Sequence, residues 1–264
     1  MALTTLAVNR AAVEATGGDT GGGGLDGDWQ YPQTLGSVDL GPGNSATDLD
    51  AKNGMVYLTS VASDKKKSDF FVVNAVNGQA PFVAGSMNTG DGLNAVDVAG
   101  TYAYAVQASD EGQLQVIDVA NPSAPLLIAS SSLPIEEQGL TVFYLDEKVY
   151  VGTTAGAGAE FYVVDVSTPT APAILGSFNV GASVRDIWVV GNLAYLATSA
   201  STKELIVLDV SDPGSVAEAG SYNVNGVYGG MSVFVAGTTV YFGGGGGQKS
   251  FYLLNAESLS SITL

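Results

Sequence analysis

The chain has 264 residues, 46% of them apolar, which is enough to bury a sizeable core. With 26 acidic and 9 basic residues it carries a net charge of −17, which argues against polyanionic partners such as nucleic acid or an anionic membrane surface. It contains no Cys and no His, so disulfides, thiol nucleophiles, Cys/His zinc sites and the usual near-neutral general base are all ruled out.

No segment approaches the ~20 uninterrupted apolar residues of a membrane span. The Met1–Val8 stretch is too short for a secretory signal core and is interrupted by Thr4 and Thr5. Residues 1–16 lack Gly and Pro and are rich in Ala and Leu, which predicts a short α-helical arm. Leu3, Leu6, Ala7 and Ala11 share one face of it and form the candidate assembly surface, because a helix of this length is marginal alone in water. An apolar helix, a flexible linker and a globular head repeat the plan of a pilin-like subunit, without the long apolar helix start of such subunits. Residues 17–27, GGDTGGGGLDG, read as the flexible linker.

From residue 28 onward the chain repeats itself. Five apolar strands end in a turn: FFVVN, LQVID, FYVVD, LIVLD and FYLLN, closing on Asn74, Asp118, Asp165, Asp209 and Asn255. A tyrosine ladder (Tyr57, Tyr104, Tyr150, Tyr195, Tyr241) and a small-residue ladder (Gly36-Ser37, Gly85-Ser86, Ala129-Ser130, Gly176-Ser177, Gly220-Ser221) recur in the same order, about 46 residues apart. Each repeat accommodates four short strands separated by turn residues. The prediction is all-β: a five-bladed β-propeller of four-stranded blades spanning 28–264, with repeats near 34–81, 82–125, 126–172, 173–216 and 217–264. Continuous apolar runs suit sheets covered on both faces. Tyr31–Ser37 matches the first strand of later repeats and is expected to complete the last sheet, tying the ring shut.

The strings LQVIDVANPSAP and FYVVDVSTPTAP, followed by LLIASS and AILGSF, resemble the LVIVD-repeat family, as does VRDIWVVGNLAYLAT. The resemblance covers residues 34–264. It implies a β-propeller of the extracellular or cell-surface kind found in bacteria and archaea, and no catalytic residues. The first and last repeats depart from it, with Asn74 and Asn255 in place of Asp.

The repeated Asp or Asn that closes the apolar strand of each repeat, read as its fourth strand, is expected to be a turn residue that accepts a backbone N–H. The candidate ligand positions lie nine residues before each tyrosine and two beyond: Asp48, Asp50, Asp97 and Asp186. In a propeller these are expected to converge on one mouth of the central channel, where blade loops meet. There they offer oxygen ligands for Ca²⁺ or a carboxylate pair for glycoside hydrolysis. The reading from sequence is a non-enzymatic surface module without a required cofactor, binding a protein, a glycan or further copies of itself. A carbohydrate-active hydrolase and a calcium-dependent propeller are the alternatives.

Overall fold

A computed structural model of the chain describes residues 34–62, 64–134, 136–224, 229–246 and 250–264. The predicted helical arm with Leu3, Leu6, Ala7 and Ala11, and the glycine linker, lie outside the described residues. What is described is all-β: five antiparallel sheets in succession, each an up-and-down meander. The first comprises β1 (Asn44–Lys52), β2 (Met55–Ala62), β3 (Phe70–Asn74) and β4 (Phe82–Met87). The second comprises β5 (Leu93–Ala99), β6 (Tyr102–Gln107), β7 (Leu114–Asp118) and β8 (Leu126–Ser131). The third comprises β9 (Gly139–Leu145), β10 (Lys148–Thr153), β11 (Phe161–Asp165) and β12 (Ala173–Phe178). The fourth comprises β13 (Val184–Val190), β14 (Leu193–Thr198), β15 (Leu205–Asp209) and β16 (Ala217–Tyr222). The fifth has three strands, β17 (Gly230–Ala236), β18 (Thr239–Gly244) and β19 (Phe251–Asn255).

Two-residue loops close the hairpin between the first two strands of every sheet. The leading residues Asn53, Gly100, Asp146, Gly191 and Gly237 all have φ between 48° and 60°, the left-handed conformation that matches the strand twist. At the far end of each third strand the Asp or Asn accepts the backbone N–H two residues on: Asn74 from Val76, Asp118 from Ala120, Asp165 from Ser167, Asp209 from Ser211 and Asn255 from Glu257. The turn role expected of this ladder holds in all five repeats.

The core is not inside any sheet but between sheets. One cluster joins Tyr57, Phe70 and Val72 of the first sheet to Val96, Ala103 and Ala105 of the second. The same arrangement recurs between the second and third, third and fourth, and fourth and fifth sheets. The third strands are therefore buried on both faces, which is why their sequences are apolar without alternation. The small-residue ladder follows from the same stacking. A Cβ at Gly85, Gly176 or Gly220 would collide with a backbone carbonyl in the third-to-fourth-strand turn of the next sheet, that of Pro122, Pro213 or Leu259.

Tyr57, Tyr104, Tyr150 and Tyr195 are all buried at these junctions. Burial pushes all four phenols up, Tyr104 to about 12. An unfolded tyrosine ionises near pH 10 (roughly). Above that pH the unfolded chain releases these protons while the folded chain holds them, so stability is full below roughly pH 10 and falls as pH rises toward the folded values. Thermal melts are expected to show a steep loss of Tm between about pH 10 and 12, with the phenols of these four residues titrating only as the fold opens.

Ring closure differs from the expectation. Consecutive inner strands pack against one another at β1/β5, β5/β9, β9/β13 and β13/β17, but no comparable contact joins β17 back to β1. Among the described residues, 34–43 form no strand, so Leu35-Gly36-Ser37 does not complete the last sheet. Gly36 is seated beside the Gly78 carbonyl and Pro81 of the first sheet, as Gly85 is beside Pro122 and Pro125 of the second. Thr263 takes the first fourth-strand position beside β19, bridging Asn255 in both directions at 2.8 and 3.1 Å.

Candidate functional site: the channel lined by the inner strands

The innermost strands β1, β5, β9, β13 and β17 run side by side, and their C-terminal ends surround one cavity of about 600 Å³. All five sheets contribute to it: Asp50 and Lys52 from the first, Asp97 from the second, Phe143 and Tyr144 from the third, Trp188 from the fourth and Phe234 from the fifth. Asp50, Asp97, Phe143, Trp188 and Phe234 occupy the same repeat position, two carboxylates followed by three aromatic rings. The rings form a continuous wall. Phe143 meets Trp188 edge-on at 5.2 Å between centroids, and Trp188 meets Phe234 edge-on at 4.5 Å.

Of the four aspartates singled out from sequence, Asp50 and Asp97 line this cavity, while Asp48 and Asp186 are not part of its wall. The expected convergence of all four on one mouth does not occur. Each carboxylate reaches across to the inner strand of the following sheet and accepts a backbone N–H: Asp48 from Val96 (3.0 Å), Asp50 from Val98 (2.9 Å), Asp97 from Tyr144 (2.7 Å) and Asp186 from Val233 (2.8 Å). The reason is topological. An innermost strand has a neighbour in its own sheet on one side only, so its other N–H groups need a partner, and the preceding sheet supplies it. Among the described residues no three acidic side chains are grouped to hold a metal ion.

The preceding position makes a second inter-sheet bond. The Thr47 hydroxyl donates to the Leu93 carbonyl, the Asn94 amide to Gly139 and the Arg185 guanidinium to Gly230. In the last sheet this position is Met231 and the aspartate position is Ser232.

A further set of functional polar groups was missed in the sequence reading. Asp69, Gln113, Glu160 and Glu204 stand immediately before β3, β7, β11 and β15, and all are buried. They hold the connection that leads from one sheet to the next. Asp69 accepts from Thr89, Gly90 and Gly92, Gln113 from Leu133, Glu160 from Val180 and Gly181, and Glu204 from Val224. The signal was available as a polar residue at a fixed offset before each apolar run, with Ser250 in the fifth repeat. The Lys65–Lys67 run also finds partners within the chain, Lys65 pairing with Asp91 and Lys67 with the Pro42 carbonyl.

Solved structures with propeller-like folds resemble this arrangement. A protein from Lactobacillus plantarum superposes with a TM-score of 0.69 at 16% identity, over 83% of this chain and 69% of that one. Saccharomyces cerevisiae Sqt1 gives 0.62 at 11% identity, over 83% and 62%, and the computationally designed Ika8 protein 0.58 at 15% identity, over 83% and 64%. The chain thus spans about two thirds of the length of these structures, and at such identities the likeness is one of fold. Comparison with curated protein sequences gives no match. The LVIVD repeat model matches residues 93–132, 149–180 and 181–224, so the chain carries LVIVD repeats across the three central sheets that build most of the aromatic wall.

Proposed function

We propose that this chain is a non-enzymatic binding module displayed outside the cell, and that the channel cavity holds a glycan. The observation that carries the reading is the aromatic wall of Phe143, Trp188 and Phe234 facing Asp50, Asp97 and Lys52 across one cavity. Sugar rings present apolar C–H faces that pack on aromatic side chains, and their hydroxyls bond to polar groups opposite. A hydrolase reading needs two carboxylates available to the scissile bond, whereas Asp50 and Asp97 are engaged with the backbone of the next sheet. The extracellular setting rests on the LVIVD repeats and their resemblance to surface propellers.

Trp188 provides the test. The chain has two tryptophans, Trp29 and Trp188, so a Trp29→Phe variant reports from the cavity alone. Titration with a panel of soluble oligosaccharides is expected to shift and saturate this fluorescence with at least one of them, without release of reducing sugar. A flat response to every oligosaccharide, or saturation by peptides only, overturns the glycan reading.

A further inference from the structure

The channel cavity has two unlike sides. The position two residues beyond Asp50, and its equivalent on each inner strand, lines the cavity as well. There β1 carries Lys52, whereas the other four strands carry Ala99, Leu145, Val190 and Ala236. The first two sheets therefore supply the charged groups Asp50, Lys52 and Asp97, and the last three supply the aromatic wall with Leu145 and Val190 above it. One further charge stands at the rim, Asp146 in the hairpin turn of the third sheet.

Three carboxylates thus line the cavity against one ammonium. Asp50 and Asp97 are only 5 and 7% exposed, so water and salt screen their field weakly and the apolar walls focus it into the cavity. The Lys52 ammonium donates to the Val98 carbonyl at 3.3 Å, which holds it toward the β5 backbone. Ionised carboxylates accept hydrogen bonds and donate none. A sugar hydroxyl both donates and accepts, a sugar carboxylate only accepts, and a protonated amine only donates. The rings opposite select in the same direction for a separate reason, since the negative potential over an aromatic face attracts a cation. Both sides of the cavity favour the same sign of charge in whatever fills it.

We propose that the cavity takes a cationic glycan, one whose sugars carry free, protonated amino groups, with an ammonium held between the Asp50 and Asp97 side and the aromatic wall. The inference rests on the glycan reading above and adds to it the sign of the ligand's charge. The apolar face of each sugar ring packs on Phe143, Trp188 and Phe234, while its ammonium answers the carboxylates. The chain as a whole works in the same sense. At a net charge of −17 it draws cations from solution, a long-range pull that salt screens and that contacts inside the cavity outlast.

Matched ligands separate charge from sugar. The full chain carrying Trp29→Phe is titrated at physiological salt, by Trp188 fluorescence, with a glucosamine oligomer, with the same oligomer N-acetylated, and with a linear polyamine of equal charge. The glucosamine oligomer is expected to bind about tenfold more tightly than its acetylated form, and more tightly than the polyamine. Two charge variants show whether the cavity reads the difference. Asp146→Asn, at a φ of 48° that asparagine adopts readily, is expected to narrow the preference for the cationic oligomer, and Lys52→Gln to widen it. Equal affinity for the two oligomers, tighter binding of the acetylated one, or a preference that neither variant moves overturns the cationic inference and leaves the glycan reading standing. So does a response to other neutral oligosaccharides with none to these two. A polyamine that binds as tightly as the amino sugar shows that charge alone is recognised, and a flat response to every oligosaccharide shows that no glycan is; either overturns both.

Discussion

Replacing Glu160 with alanine is expected to destabilise the fold by about 3 kcal/mol, a large share of the roughly 5–15 kcal/mol that holds a domain folded. The side chain is 1% exposed, and one of its oxygens accepts both the Val180 and Gly181 N–H groups, at 2.8 and 3.0 Å. Removal takes the shared acceptor away from two backbone donors, and it opens a void where β11 begins. The position governs how the chain passes from the third sheet to the fourth, so the loss is felt at a sheet junction rather than at a surface loop. Glu160→Gln is expected to be milder, at about 1 kcal/mol, because the amide oxygen can still accept both bonds and only their charge-assisted share is lost. Urea unfolding checks both: the midpoint should fall in the order wild type, Gln, Ala at constant slope. An alanine variant as stable as wild type would show that the buried carboxylate does not hold the connection.

At Asp186 the conservative substitution is expected to offer no such relief. Its two oxygens serve different donors, one accepting from Ile187 at 2.9 Å and the other from Val233 of the next sheet at 2.8 Å. Asparagine supplies one acceptor and presents an NH₂ group to the other N–H. Asp186→Asn is therefore expected to cost nearly as much as Asp186→Ala, about 2 kcal/mol in either case. A comparison at Asp209 shows what burial adds. That carboxyl sits in an exposed turn, held below the usual carboxylate range by its bonds to Ser211, and its alanine variant is expected to lose far less stability than either Asp186 variant. The measurement is the same urea series. If Asp186→Asn proved silent for stability while altering turnover of a glycoside, Asp186 would be a catalytic acid rather than an inter-sheet staple.

These two residues mark where sequence reasoning stopped. The repeat period, the five sheets, the Asx turns and the two-sided burial of the third strands were all legible from local pattern, because each depends on residues within one repeat. Asp118, Asp165 and Asp209 bond a backbone group two residues away, so their role can be read from the string that contains them. Asp48, Asp50, Asp97 and Asp186 bond a backbone group 47 or 48 residues away. From sequence they fall at two positions of the repeat, Asp48 and Asp186 at one and Asp50 and Asp97 two residues on, and were assigned to a shared mouth, because acidic residues near a channel suggest a ligand. The tertiary structure assigns them to the edge of the next inner strand, whose N–H groups otherwise lack a partner. The aromatic wall was equally hidden. Phe143, Trp188 and Phe234 are each an unremarked apolar residue in an apolar run, and only stacking of the sheets brings their rings within 4.5 to 5.2 Å. Closure was the most distant decision of all. The sequence by itself determined that Gly36-Ser37 repeats the small-residue pair of the other repeats and that FYLLN is a continuous apolar run. Which strand and which face meet depends on the curvature accumulated over five sheets, a sum of small inter-sheet rotations that no single repeat encodes.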